Sequence, residues 1–380
     1  MSAARVLLAL AITSALTAGP VSPAGATEVD PSMPFDHIVV IVEQDHTYDS
    51  YFGSYSPPES RGDSLSANEG LHSLADNYVL FDNYFASSPG GTLGNMLDLT
   101  TGDTHELLFS SKESLAALAD LDVPTLFDRL NQESVEWRLY DGGLSEVDER
   151  KVTTGAYAAA GAAVPASLYR APVLAMKRTW RDPELTSRFV DQQQFFDDAR
   201  TGALPPFSLV LPSPSDRPGL GGAEGEIRLL SLINAVQKSS QWERTAIFVT
   251  WDDGGGQFDS AVPPVGNGPR VPLLLISPYA KQRYISHVEH DHLSLLDLVE
   301  ARFDLASLGS RPNAAPAFDD AFAVEAGPRQ PIVTTRGGLA PTPVGTTAQN
   351  VQTVALYMFG LTAAALVARA GWRREQRRVV

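Results

Sequence analysis

Two adjacent aspartates, Asp252 and Asp253, follow the apolar run "TAIFVTW" (245–251) and precede Gly254, Gly255 and Gly256. Neighbouring carboxylates repel each other unless a cation neutralises them, and a glycine run lets backbone turn close to a ligand. The pair reads as a cation site or as a plain acidic turn. A nucleotide-bound magnesium aspartate is excluded, because no GxxxxGK[ST] loop accompanies it. Thr92 lies in "SSPGGTLGN" (87–95), a Gly-rich turn that leads into a helix-forming stretch. That puts Thr92 near a helix N-terminus, where free amides and the dipole suit an anion; a simple helix cap is the other reading. Its hydroxyl needs a base or a metal to become a nucleophile, and the two aspartates could hold one.

Histidines supply the remaining candidates. "SHVEHDH" (286–292) packs His287, His290 and His292 beside Glu289 and Asp291. Such a cluster can bind metal, polarise a phosphoryl oxygen, or cap the next helix through Asp291. His292 is preferred, with His46, His105, His287 and His290 left open. His37 opens a strand and reads as structural, and His72 lies in a surface-like loop with no role assigned.

The elements that must position these groups alternate. Ile38–Val42 is a continuous apolar run of the kind found in central parallel strands, and it empties into "EQDHTYD" (43–49). Residues 78–85 read as extended, 123–132 as helix and 135–140 as strand. Strands follow at 207–212, 245–251 and 271–278, with helices at 224–239 and 291–303. Residues 141–200 are Ala-rich, broken by proline, and read as loops and short helices. This order predicts an α/β domain with a mostly parallel central sheet flanked by helices. In such sheets ligands gather beyond the carboxyl ends of the strands, where both polar bursts, 43–49 and 252–259, would emerge.

Composition bounds the rest. The 380 residues contain no cysteine, which excludes thiolate catalysis, disulfides and Cys-ligated zinc. Residues 1–26 read as a signal peptide: Arg5, a short apolar run, then Ala24-Gly25-Ala26. Residues 32–305 form the expected catalytic domain and 306–350 a Pro/Ala/Gly/Thr-rich tail and linker. Residues 351–368 read as a transmembrane helix and 369–380 as a basic cytoplasmic tail. That arrangement predicts an exported protein on the cell membrane, single-pass, with its catalytic domain outside. Formal net charge is −16, a surface that repels nucleic acid, so no nucleic-acid partner is expected. An anionic substrate would then need a locally positive site, which a bound metal supplies.

Seven ordered segments carry a resemblance: "HIVVIVEQDHTYDSYFG", "FDNYFASSPGGTLGN", "WRLY", "FSLVLPSPSDRP", "SSQWERTAIFVTWDDGGGQFDSAVPP", "GPRVPLLLISPYAK" and "DHLSLLDLVEARF". Over about residues 36–305 the chain resembles the bacterial phosphoesterase family, which includes phospholipases C and acid phosphatases and has an alkaline-phosphatase-like fold. The resemblance implies a divalent metal held by Gln44, Asp45, Thr92, Asp252 and Asp253. Oxygen donors slightly favour calcium, magnesium or manganese. It implies Thr92 as nucleophile through a phosphothreonine, Asn95 as a donor to the phosphoryl oxygens, and His292 for charge or leaving group. Arg217 and His105 would bind phosphate. The substrate class is a phosphate mono- or diester, with phospholipid included. The chain departs from the family pattern in places: Gln44-Asp45 stands where Glu-Asn is usual, Gly91 and Gly94 replace prolines, Met96 replaces Arg, and Arg217 and Ser260 replace histidines.

Overall fold

The computed structural model describes residues 34–53, 69–214, 223–309 and 318–333. Among these residues, ten strands occur in chain order: β1 His37–Glu43, β2 Val79–Phe81, β3 Tyr84–Phe85, β4 Trp137–Asp141, β5 Phe189–Asp191, β6 Phe207–Leu211, β7 Thr245–Trp251, β8 Leu273–Ile276, β9 Tyr284–Ser286 and β10 His290–Asp291. Eight of them form one sheet in the order β5-β4-β6-β1-β7-β8-β2-β9, while β3 and β10 pair separately. β1 lies parallel to both its neighbours, β6 and β7. Its five consecutive apolar residues, Ile38 to Val42, are all buried, as a strand covered on both faces requires.

The fold class is therefore α/β with a mostly parallel sheet. β8 alone opposes its neighbours β7 and β2. It can do so because the segment before it turns back at the carboxyl end of β7 and no crossover helix intervenes. The extended stretch expected over 78–85 is two strands in two different sheets. Asp82 and Asn83 divide them, and residues 141–200 contribute β5 besides short helices.

Helices cover the sheet. The Thr92–Thr101 helix is buried along almost its whole length and packs against the His292–Arg302 helix. Thr100 and Thr101 are tolerated inside it because their hydroxyls donate back to the carbonyls of Met96 and Leu97. Gly102 ends it in the left-handed conformation at φ 76°. Asp291 caps the second helix, its Oδ1 accepting from the Ser294 amide at 3.0 Å, so the capping role left open for Asp291 is realised.

The folded body continues past residue 305, where a linker was expected to begin. Phe318 stacks on His290 with ring centroids 4.2 Å apart, and Phe322 stacks on Phe35 at 5.3 Å. Among the described residues no helix is long and apolar enough to cross a membrane. The expected signal peptide, the span at 351–368 and the basic tail lie outside the described residues.

Candidate active site

β1 and β7 run in register, Glu43 opposite Trp251, so their carboxyl ends deliver Asp45 and Asp252 to one place. Asp45 takes a left-handed backbone at φ 60°, which aspartate tolerates better than most residues, and turns its amide towards the neighbouring strand. That amide donates to Asp252 Oδ1 at 3.1 Å. The amide of Asp253 donates to the same oxygen at 2.8 Å. One carboxylate oxygen from each of Asp45, Asp252 and Asp253 lies within 4.8 Å of the other two.

The glycines after the pair make this approach possible. Gly255 has φ 57°, and a Cβ there would sit 2.6 Å from the Asp45 carbonyl oxygen. Its amide donates to Asp253 Oδ1 at 2.6 Å, closing the turn. Thr92 comes from the opposite side as the first residue of its helix, with Gly91 and not Thr92 in the capping position. The Asp253 carboxylate lies against this turn: a Cβ on Gly91 would sit 3.3 Å from Asp253 Oδ2, and the polar groups of Thr92 draw the Asp253 pKa down against the effect of burial. A helix N-terminus and a potential nucleophile thus meet the acidic cluster at one carboxylate.

Electrostatics mark the cluster as unfinished. Burial, then the charge of Asp253, raises Asp252 to about 7, although Arg170 pulls it down. Burial also raises Asp253. Asp252 Oδ2 is buried and has no hydrogen-bond partner. Three carboxylates and a hydroxyl are hard oxygen donors, and an orphaned buried carboxylate oxygen is what a bound cation would satisfy. The residues present therefore fit a divalent metal.

The profile of the Phosphoesterase family matches residues 65–306. The chain belongs to that family. It is 26% identical over 272 residues to phospholipase C B of Mycobacterium tuberculosis, covering 60% of this chain and 49% of that protein. It is 24% identical over 296 residues to non-specific phospholipase C1 of Arabidopsis thaliana, covering 68% and 50%. The chain spans about half the length of the curated relatives it matches. Among solved structures, a protein of the alkaline phosphatase superfamily from Vibrio parahaemolyticus aligns with TM-score 0.44 and 14% identity, over 74% of this chain and 75% of that one.

In this member of the Phosphoesterase family the other expected site residues fall in different places. Gln44 is buried between Glu43 and Asp45. Asn95 is fully buried, but its amide is spent on the preceding loop: Oδ1 accepts from the Ser88 amide at 2.9 Å, and Nδ2 faces the carbonyls of Gly90 and Gly91 at 3.3 and 3.2 Å. It clamps the turn that presents Thr92. His292 lies beneath the site and is completely buried, with Nε2–H donating to the Trp251 carbonyl at 3.0 Å and Nδ1 3.4 Å from the Phe85 carbonyl. Burial lowers its pKa, and the neutral ring holds the end of β7.

His105 also departs from expectation. Its Nε2 contacts the Thr101 hydroxyl at 3.1 Å, at the far end of the helix that Thr92 begins. Nine residues of helix rise separate those ends by roughly 14 Å, too far for both to touch one phosphate. Arg217 lies outside the described residues. His72, expected in a loop, is on the Glu69–Asn77 helix, with Nε2 2.7 Å from the Tyr51 carbonyl.

Two buried arginines were not singled out in the sequence. Arg170 reaches the carbonyls of Pro212 and Val42 at 2.6 and 3.1 Å and tempers the burial of Asp252 and Asp141. Its only sequence signal is being the sole charged residue in the Ala-rich stretch 155–172. Arg270 is fully buried between Asp49 Oδ1 and Asp259 Oδ1, each at 2.9 Å, with its guanidinium 4.2 Å from the Tyr48 ring. Tyr48 and Asp49 of the polar burst after β1 thus serve this internal pairing, which ties the 43–49 and 252–259 segments together.

Proposed function

We propose that the chain is a metal-dependent hydrolase of phosphate esters. The observation that carries this reading is a cluster of three carboxylates with an unsatisfied buried oxygen, set against the turn and helix start that carry Thr92. Asp45, Asp252 and Asp253, with Gln44 beside them and the Thr92 oxygen, would hold a divalent cation. Calcium, magnesium or manganese is favoured by the oxygen donor set. Such an ion would neutralise the carboxylates and polarise a phosphoryl oxygen.

Thr92 is the nucleophile of this reading. Asp253 takes the hydroxyl proton as the Thr92 oxygen bonds to phosphorus; the ester P–O bond breaks, the departing alkoxide takes a proton from water to leave as the alcohol, and water then hydrolyses the phosphothreonine. The free amides of the helix it begins face the incoming anion. Asn95 keeps the Gly90–Gly91 turn rigid so that this geometry is pre-formed. The phospholipase C relatives favour a phospholipid or a similar phosphodiester as substrate. Export through residues 1–26 and tethering through 351–368 belong to the same reading and rest on the sequence alone.

Release of nitrophenol from its phosphate mono- and diesters, with and without chelator, tests the activity. Mass spectrometry for phosphorylated Thr92 tests the covalent step. An inactive binding protein on the same fold is the second reading. Asn95 and His292 favour it, since both are committed to main-chain partners. Absence of turnover on every ester with every divalent metal would establish it.

A further inference from the structure

Among the described residues, five large apolar side chains are exposed: Phe109, Phe258, Val262, Val265 and Ile332. Four of them lie on two loops that meet the Thr92–Asp253 pair. Phe109, 60% exposed, follows Leu108, whose carbonyl accepts from the Gly91 amide at 3.1 Å, one residue before Thr92. Phe258, Val262 and Val265, exposed by 61%, 89% and 106%, lie on the segment that leaves Asp253 and returns to β8. Thr47 holds this second loop by donating to the Phe258 carbonyl at 2.7 Å. Exposed apolar side chains gathered on neighbouring loops, unlike singly scattered ones, mark an interaction surface.

Charge identifies the cover. Residues 107–111 carry no ionisable group, and within 254–268 the only one is Asp259, which is turned inward onto Arg270. A surface for an anionic membrane would present Lys or Arg, and the chain as a whole is at −16. We propose that these two loops are an interfacial docking surface for an uncharged, zwitterionic lipid bilayer. The apolar side chains enter the headgroup boundary and bring the mouth of the site onto the lipid plane. This rests on the phosphoesterase reading only in its purpose; the docking itself does not require turnover.

The chain has no cysteine, so single cysteines at Phe109→Cys, Val265→Cys and the exposed control Ser187→Cys can each carry one environment-sensitive dye on the full chain. With phosphatidylcholine vesicles the two loop dyes should shift to the blue and be quenched by spin-labelled lipid, while the control stays aqueous. Vesicles rich in phosphatidylglycerol should give a weaker response. Loop dyes that remain aqueous would overturn the proposal, as would dyes shifted only by self-association or by an added protein. The same signals in Thr92→Ala separate docking from chemistry. If the loops insert but no ester is hydrolysed, the docking surface stands and the hydrolase reading fails. The combined Phe109→Ser, Phe258→Ser, Val262→Ser and Val265→Ser variant should lose about tenfold or more in hydrolysis of vesicle lipid, because partitioning scales with the apolar area buried. Its turnover of soluble nitrophenyl esters should stay within about twofold; equal loss on both substrates would also overturn the proposal.

Discussion

Asp45 and Asp252 are joined by a hydrogen bond of 3.1 Å across 207 positions of sequence, from the amide of one to the carboxylate of the other. The bond leaves Asp252 Oδ2 buried and unsatisfied and brings a third carboxylate, Asp253, into the same volume. Three acids held together cost stability. That cost makes sense in physical terms when a cation is part of the folded site.

Replacing Asp252 by Asn should therefore stabilise the metal-free protein while abolishing metal uptake. Burial raises the Asp252 pKa to about 7, so the folded state binds the extra proton, and the penalty is full above pH 7 and absent below the unfolded carboxylate range. In chelator at pH 8, Asp252→Asn should gain on the order of 2–4 kcal/mol, fading to nothing near pH 4. Denaturant titrations at the two pH values check this. A loss of stability at pH 8 would sink it.

Thr92→Ala should lower phosphoester turnover by roughly 10³-fold or more, with Thr92→Ser retaining most of it, since only the hydroxyl is required. Stability should hardly change, because Thr92 is only half-buried at the first position of its helix. Comparing turnover with melting temperature separates the two effects. Undiminished activity in the alanine variant would remove Thr92 from the chemistry.

Gly255→Ala tests the turn. A side chain there must adopt φ 57° and meets the Asp45 carbonyl at 2.6 Å, a strain of about 1–3 kcal/mol. The expected result is a lower unfolding midpoint together with weaker metal binding by calorimetry, because Asp45 is displaced. Gly256, also at positive φ but with open space beside it, should show a smaller stability loss and unchanged metal binding when replaced by alanine.

His290 gives the pH dependence away from the site. Its two ring nitrogens are buried without partners against Phe318, and burial lowers its pKa to about 4. The unfolded state binds the proton first, so its contribution is whole above pH 6.5 and is lost as pH falls towards 4. Between pH 8 and pH 4.5 the native chain should lose roughly 2–3 kcal/mol more than His290→Phe, at up to about 1.4 kcal/mol per pH unit. Parallel stability curves for the two proteins would refute the assignment.

Sequence by itself determined the alternation of strands and helices, the central place of β1, and the burst of carboxylates after β1 and β7. Apolar runs and glycine turns are local signals, and a parallel sheet sends its ligand groups to one end whatever the side chains are. Thr92 was also legible, from a glycine turn at a helix start. What tertiary structure alone decided was direction. Asn95 turns back to its own loop, His292 lies under the sheet end, and His105 is one helix length away, because hydrogen-bond demand in a buried setting settles where each polar group points. Arg170 and Arg270 find their partners across long stretches of chain, which no spacing records, and the reversal of β8 follows from the turn after β7 meeting its neighbours in space. Residue types could state which chemistry was on offer; only packing settled which groups face it.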